Sequence, residues 1–197
     1  FCSGKGSGDF AGSRSLSISD QYRQMKEKMS AKWGEGKYMM YFQAYTNTYA
    51  PLERLRSLYY EAVDQENVVA LSIATRPDCI NEEVAELLKE LSEKVYVCVE
   101  LGLQTSKAES VKLINRCYEN HVYKNAAAML NEHSIDTVTH IILGLPGESY
   151  DDMLGSVKYA INCGTKGLKL QLLHIIKGTA LYDYYNENPF KYFTLEE

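Results

Sequence analysis

The chain has 197 residues, with 21 Lys and Arg against 26 Asp and Glu, a formal charge of −5 with histidine neutral. That balance argues against a generally basic nucleic-acid face. A 45% hydrophobic share with only 13 Gly and 4 Pro excludes collagen-like and disordered classes, and no run of about 18 consecutive apolar residues exists to span a membrane.

The chain opens on Phe1 in FCSGKGSGDFAG, which has neither the basic nor the apolar region of a secretory signal, and it reads as a fragment. Gly4, Gly6 and Gly8 with Lys5 would cradle a phosphate through backbone amides, although the spacing is not that of a P-loop. Ser17 with Asp20 then predicts a capped helix over about Ser19 to Trp33. A strand begins near Lys37 and a helix covers Pro51 to Val63. The next strand, from Val68, places Val69, Leu71 and Ile73 on one face and Ala70, Ser72, Ala74 and Arg76 on the other. Asn81 starts a helix to Glu93. The strand from Val95 alternates Val95, Val97, Val99, Leu101 and Leu103 with Tyr96, Cys98, Glu100, Gly102 and Gln104. Ser106 with Glu109 predicts a capped helix to Asn115, and a further helix covers Tyr123 to Asn131. A strand from Thr137 points His140 and Gly144 one way and Ile141, Leu143 and Leu145 the other. Ser149 with Asp152 caps a helix over Tyr150 to Asn162, followed by a strand from Gly167 and a helix over Thr179 to Tyr185.

Alternating strands and helices predict a parallel sheet. A doubly wound sheet would be apolar on both faces, whereas these strands are aliphatic on one face and polar on the other. The pattern therefore predicts an α/β fold of barrel type, strands inside and helices outside. Five strands make it a partial (β/α) TIM barrel, since a full eight-fold barrel takes about 250 residues.

In such a barrel functional groups sit at strand C-termini. That rule selects Gln43, Thr46, Asn47, Arg76, Glu100, Gln104, Gly144, Gln171 and His174. Among the histidines, His174 has the strongest functional position, because it closes a strand before the turn at Lys177-Gly178-Thr179. Glu100 has no second interior carboxylate beside it, which argues against a glycosidase pair; a structural partnership with Arg76 is the alternative role. An aldolase-like barrel would use an interior lysine, for which Lys169 is the candidate without an acid to partner it. No zinc-binding histidine spacing and no G-x-S-x-G elbow occur. Five cysteines, Cys2, Cys79, Cys98, Cys117 and Cys163, form no C-x-x-C pair and suit a reducing, cytoplasmic setting. All but Cys2 read as small buried apolar side chains.

The strings CSGKGSGDFAG, FQAYTNTYAP, SIATRPDCI, VELGLQT, INR, HIILGLPGE and LLHIIKGT follow one another over essentially the whole chain. In that order they resemble the radical S-adenosylmethionine (radical SAM) enzymes, nearest to the YhcC-like Fe-S oxidoreductases and further from the Elongator catalytic subunit and oxygen-independent coproporphyrinogen oxidase. The resemblance implies a (β/α)6-type barrel truncated before its first strand and cluster loop, with the C-terminus cut as well and residues 1–197 forming a single core domain. It implies a 4Fe-4S cluster with Cys2 as the last of three cysteine ligands, and S-adenosylmethionine cleaved by one electron to a 5'-deoxyadenosyl radical. By the same resemblance Thr46 and Asn47 sit where the methionyl amine is bound, Glu100 meets the ribose and Arg116 meets the methionyl carboxylate. Ile142 and Gly144 line the adenine, whose edge is read by Ile176, Lys177 and Gly178. The implied partners are the cofactor, an electron donor such as flavodoxin or ferredoxin, and no membrane; a tRNA substrate stands only by analogy with Elongator and against the acidic balance. A cluster-free, barrel-shaped binding or regulatory module is the competing reading, on the ground that Cys2 is the one cluster cysteine in the chain.

Overall fold

The computed structural model describes residues 15–194. Cys2 and the glycine-rich opening lie outside the described residues. Five strands, β1 (Tyr38–Phe42), β2 (Val68–Thr75), β3 (Tyr96–Gln104), β4 (Asp136–Leu143) and β5 (Gly167–Leu172), pair in sequence order, all parallel. The helices are α1 (Ile18–Trp33), α2 (Leu52–Val63), α3 (Glu82–Ser92), α4 (Ala108–Leu113), α5 (Asn120–Glu132), α6 (Tyr150–Asn162) and α7 (Ala180–Glu187), with a short 3₁₀ turn at Pro77–Cys79. Together they form a curled half-barrel, as the one-sided strands predict.

Alternation along β3 decides which face the helices take. Val97, Val99, Leu101 and Leu103 are 0 to 3% exposed. They pack with Leu71, Ile73 and Ile141 of neighbouring strands and with Leu55 and Tyr59 of α2, Leu87, Leu88 and Leu91 of α3, and Tyr123 and Leu130 of α5. Two threonines, Thr137 and Thr139, also face this apolar layer and are fully buried. Thr139 bonds the Tyr123 hydroxyl (2.6 Å) and the Thr165 hydroxyl (2.9 Å), so its buried oxygen is satisfied. Helix α1 is tied to the rest through Glu61 of α2, whose carboxylate accepts from the Ser19 amide and hydroxyl (both 2.9 Å).

Three of the four expected caps form. Ser17 accepts from the Asp20 amide, Asn81 from Val84, and Ser149 makes a reciprocal capping box with Asp152. The fourth does not. Ser106 precedes the cap position of α4, which Lys107 fills without a side-chain bond, and its amide instead donates to the Ser156 hydroxyl of α6 (2.8 Å). A tertiary contact has outcompeted the local one. As a result α4 is shorter than expected, while α5 starts earlier, at Asn120, because the Asn120 side chain reaches back to the Ser106 carbonyl (2.7 Å).

Of the cysteines expected to be buried, Cys98 is; Cys79 and Cys163 are half-buried, and Cys117 is exposed. Cys117 sits in a loop with φ +66° that turns its thiol outward. No helix among the described residues is long and apolar enough to cross a membrane.

Leu101 lies at the centre of the apolar layer with no exposed surface. Truncating it, Leu101→Ala, is expected to destabilise the fold by about 2 to 5 kcal/mol. Urea denaturation checks this as a fall in midpoint with the slope unchanged.

Candidate active site

The face of the sheet turned away from the helices encloses a cleft of about 400 Å³. Its wall includes Tyr41 and Gln43 from β1, Thr46 beyond it, Ala74 and Arg76 at the end of β2, Glu100, Gly102 and Gln104 of β3, His140 and Ile142 of β4, and Lys169 and Gln171 of β5. Of the residues selected from the sequence, Gln43, Thr46, Arg76, Glu100, Gln104, Ile142 and Gln171 belong to this wall.

Glu100 is the hub. One carboxylate oxygen accepts from Tyr41 Oη (2.8 Å), His140 Nε2 (2.6 Å) and Lys169 Nζ (3.0 Å), and the other accepts from Ser72 Oγ (3.0 Å). Lys169 also donates to the Tyr41 hydroxyl (2.7 Å). Burial alone would push the Glu100 carboxyl up, but the bonds from His140, Tyr41 and Lys169, with the Lys169 charge, outweigh it and hold it at about 2. Burial likewise opposes the charge on Lys169, yet its bonds to Tyr41 and Glu100 raise its pKa.

Three expectations change here. Glu100 does not pair with Arg76, which grips Asp78 instead. Lys169 does have an acid partner, and it is Glu100. His174 is exposed and outside the cleft wall, and the histidine that reaches the interior is His140. Strand tilt hid these pairings: in the β3–β4 register Val138 lies opposite Glu100, and His140 comes opposite Gly102. The alternation of β4 did place His140 on the polar face, and that was the available signal.

Left-handed backbone recurs in the cleft wall and in the α4–α5 loop. Tyr45, Gln104, Asn115 and Cys117 all adopt left-handed conformations, with φ between 49° and 67°. Gln104 folds its amide over Gly102, where an added Cβ would lie 2.7 Å from Gln104 Nε2. Tyr118 enters the same corner, donating to the Gly102 carbonyl (2.6 Å).

Arg116 takes no part in the cleft wall. It is 6% exposed, and burial depresses its pKa. All five of its N–H groups are engaged: Nε and Nη2 donate to the Tyr118 carbonyl, Nη1 to the carbonyls of Leu103 and Thr105, and Nη2 also to Asn120 Oδ1, each at 2.8 to 3.0 Å. The guanidinium thus knits the loop after β3 and leaves no donor for a ligand carboxylate in this arrangement. Asn47 has a similar local task, its amide donating to the carbonyls of Phe42 and Ala74 (2.9 and 2.8 Å). Gly144, at φ +84°, lies against the ring of Phe193. Ile176, Lys177 and Gly178 are exposed beyond the end of β5, where the Ile176 carbonyl accepts from the Thr179 hydroxyl (2.7 Å).

The family model of the Radical SAM superfamily matches residues 1–160, most of the chain. The chain belongs to the radical SAM superfamily. Among curated relatives, YtqA of Bacillus subtilis is 41% identical over 197 residues, covering all of this chain and 61% of YtqA. YhcC of Escherichia coli is 39% identical over 146 residues, 74% of this chain and 47% of YhcC. The chain therefore spans only part of the relatives it matches. Among solved structures, the archaeal Elp3 of Methanocaldococcus infernus superposes with a TM-score of 0.76 at 21% identity, covering 91% of this chain and 47% of Elp3. That likeness carries the fold: a radical SAM barrel whose concave face holds the Glu100 hub.

Two stability predictions arise from the site. A depressed carboxyl stabilises the fold above its ordinary value of 4.5, and that contribution is lost as pH falls towards about 2. Glu100→Gln should therefore melt below the parent by a margin that is constant above about pH 5 and narrows between 4.5 and about 2; thermal melts across pH check the slope. Arg116→Lys replaces five donors with three and strands buried carbonyls. It is expected to cost about 2 to 4 kcal/mol by chemical denaturation.

Proposed function

We propose that this chain is the catalytic barrel of a radical SAM enzyme, a Fe-S oxidoreductase that binds S-adenosylmethionine in the concave cleft and acts on a substrate by hydrogen abstraction. The observation that supports this reading most directly is the cleft itself: about 400 Å³ at the C-terminal ends of parallel strands, in a chain of this superfamily. Its wall sets hydroxyl, amide and charged groups beside Ala74, Ile142 and the rings of Tyr41 and Tyr118, a mixture that suits a ligand combining ribose hydroxyls, an amino acid head and a purine.

When bound, a 4Fe-4S cluster and S-adenosylmethionine supply one-electron cleavage of a sulfonium and, through it, hydrogen-atom abstraction. In this reading Cys2 is a cluster ligand, outside the described residues. Among the described residues no three His, Cys, Asp or Glu side chains gather into a metal site. Thr46 and Ile142 meet the cofactor from the wall, while Asn47 holds the loop that carries Thr46. Glu100 receives a ribose hydroxyl on the oxygen whose one partner is Ser72, leaving the other oxygen to its three donors. Gly144 and the Ile176 to Gly178 turn close the adenine end. The electron comes from an external donor of the flavodoxin or ferredoxin kind.

Anaerobic reconstitution with iron and sulfide of this chain joined to the cluster loop that the resemblance implies, followed by titration of S-adenosylmethionine, tests the proposal. Saturable binding is expected, weakened about tenfold or more in Ile142→Trp, which fills the cleft. A parent protein that binds no cofactor, or a tryptophan variant that binds it equally well, would turn the assignment towards the cluster-free binding module.

A further inference from the structure

Arg76 is the first residue past β2, and two neighbours fix its guanidinium from different directions. Asp78, in the 3₁₀ turn that follows, accepts from Nε (2.9 Å) and Nη2 (2.7 Å) in a two-pronged grip. The ring of Tyr118 lies 5.3 Å from the guanidinium carbon, and Tyr118 is itself anchored by its bond to the Gly102 carbonyl. The bond to Asp78, set against partial burial, raises the Arg76 pKa and keeps it cationic.

Among the described residues the remaining edge of the guanidinium has no partner. Nη1 makes no hydrogen bond to any described residue, and the side chain is 42% exposed in the wall of the cleft. The other cations of the region differ. The Lys169 ammonium is turned to Glu100 and Tyr41, and every donor of Arg116 is taken. Asp78 is absent from the cleft wall and borders a separate depression with Thr48, Cys79 and Asn81. The acid therefore grips Arg76 from outside the cleft wall, of which the Arg76 side chain is itself a part. A guanidinium already oriented by a carboxylate and an aromatic ring loses little further freedom on binding.

We propose that Arg76 is the oxyanion-recognition residue of the cleft, its free edge taking a carboxylate or phosphate group of the molecule bound there, with Asp78 and Tyr118 as its positioning residues. The anion has two possible sources, the carboxylate of the cofactor's methionyl group or an anionic group on the second substrate. Only the first rests on the function proposed above.

The test compares the parent, Arg76→Gln, Arg76→Lys and Asp78→Asn with three probes: S-adenosylmethionine, its decarboxylated analogue, and inorganic phosphate. If the cofactor is the source, Arg76→Gln weakens S-adenosylmethionine about tenfold or more and leaves the decarboxylated analogue unchanged. Asp78→Asn then shifts binding in the same direction by less, and Arg76→Lys restores part of the loss. If the second substrate is the source, phosphate raises the melting temperature of the parent and not of Arg76→Gln, while cofactor affinity stays level. Equal binding of all three probes by parent and Arg76→Gln overturns the proposal. So does a loss that affects both cofactor forms alike or tracks a lowered melting temperature. A parent that binds phosphate through Arg76 but no S-adenosylmethionine sinks the proposed function and leaves this inference standing.

Discussion

One carboxylate touches every strand of the sheet. Tyr41 comes from β1, Ser72 from β2, Glu100 itself from β3, His140 from β4 and Lys169 from β5, and all meet within hydrogen-bonding distance. Ladder hydrogen bonds set the spacing of neighbouring strands but only loosely set how far a sheet curls. The two outermost strands are joined here through the hollow, by the Lys169 bond to the Tyr41 hydroxyl and the bonds of both to Glu100. The concavity that makes a cleft is held by this polar knot on the inside as much as by helix packing on the outside.

Opposite demands on the two faces account for the division of chemistry in the molecule. Outside, aliphatic side chains of β2, β3 and β4 meet helices and leave water. Inside, a charged group is tolerated because it never stands alone: Glu100 has four donors, Lys169 has two acceptors, and Arg76 has Asp78. Left-handed backbone occurs at Tyr45 and Gln104 in the cleft wall, at Asn115 and Cys117 between α4 and α5, and at Asn67 and Ser134 ahead of β2 and β4.

Much of this could be read from residue order, because the information was local. The alternation of Val97, Val99, Leu101 and Leu103 with Glu100, Gly102 and Gln104 states which side is core, and the capping signals at Ser17, Asn81 and Ser149 act within one turn. What escaped was non-local. His140 and Lys169 reach Glu100 only through the stagger between strands, which a single strand does not encode. Ser106 looked like a cap until Ser156, fifty residues on, offered its hydroxyl. The likeness to a family points Arg116 at a ligand, and no motif records the carbonyls of Leu103, Thr105 and Tyr118 that its neighbours also present to it.

Gly102 gives this architecture a particular susceptibility. Its missing side chain is the space into which the Gln104 amide folds, so the depth of the hollow beside Glu100 is governed by a residue that contributes nothing to its lining but hydrogen. Any larger residue at that position would evict the amide and alter both the shape and the polarity of the cavity, with the strand and the outer core left in place. Position 102 is thus a single-residue control on the shape of the cleft, separable from the sheet that frames it.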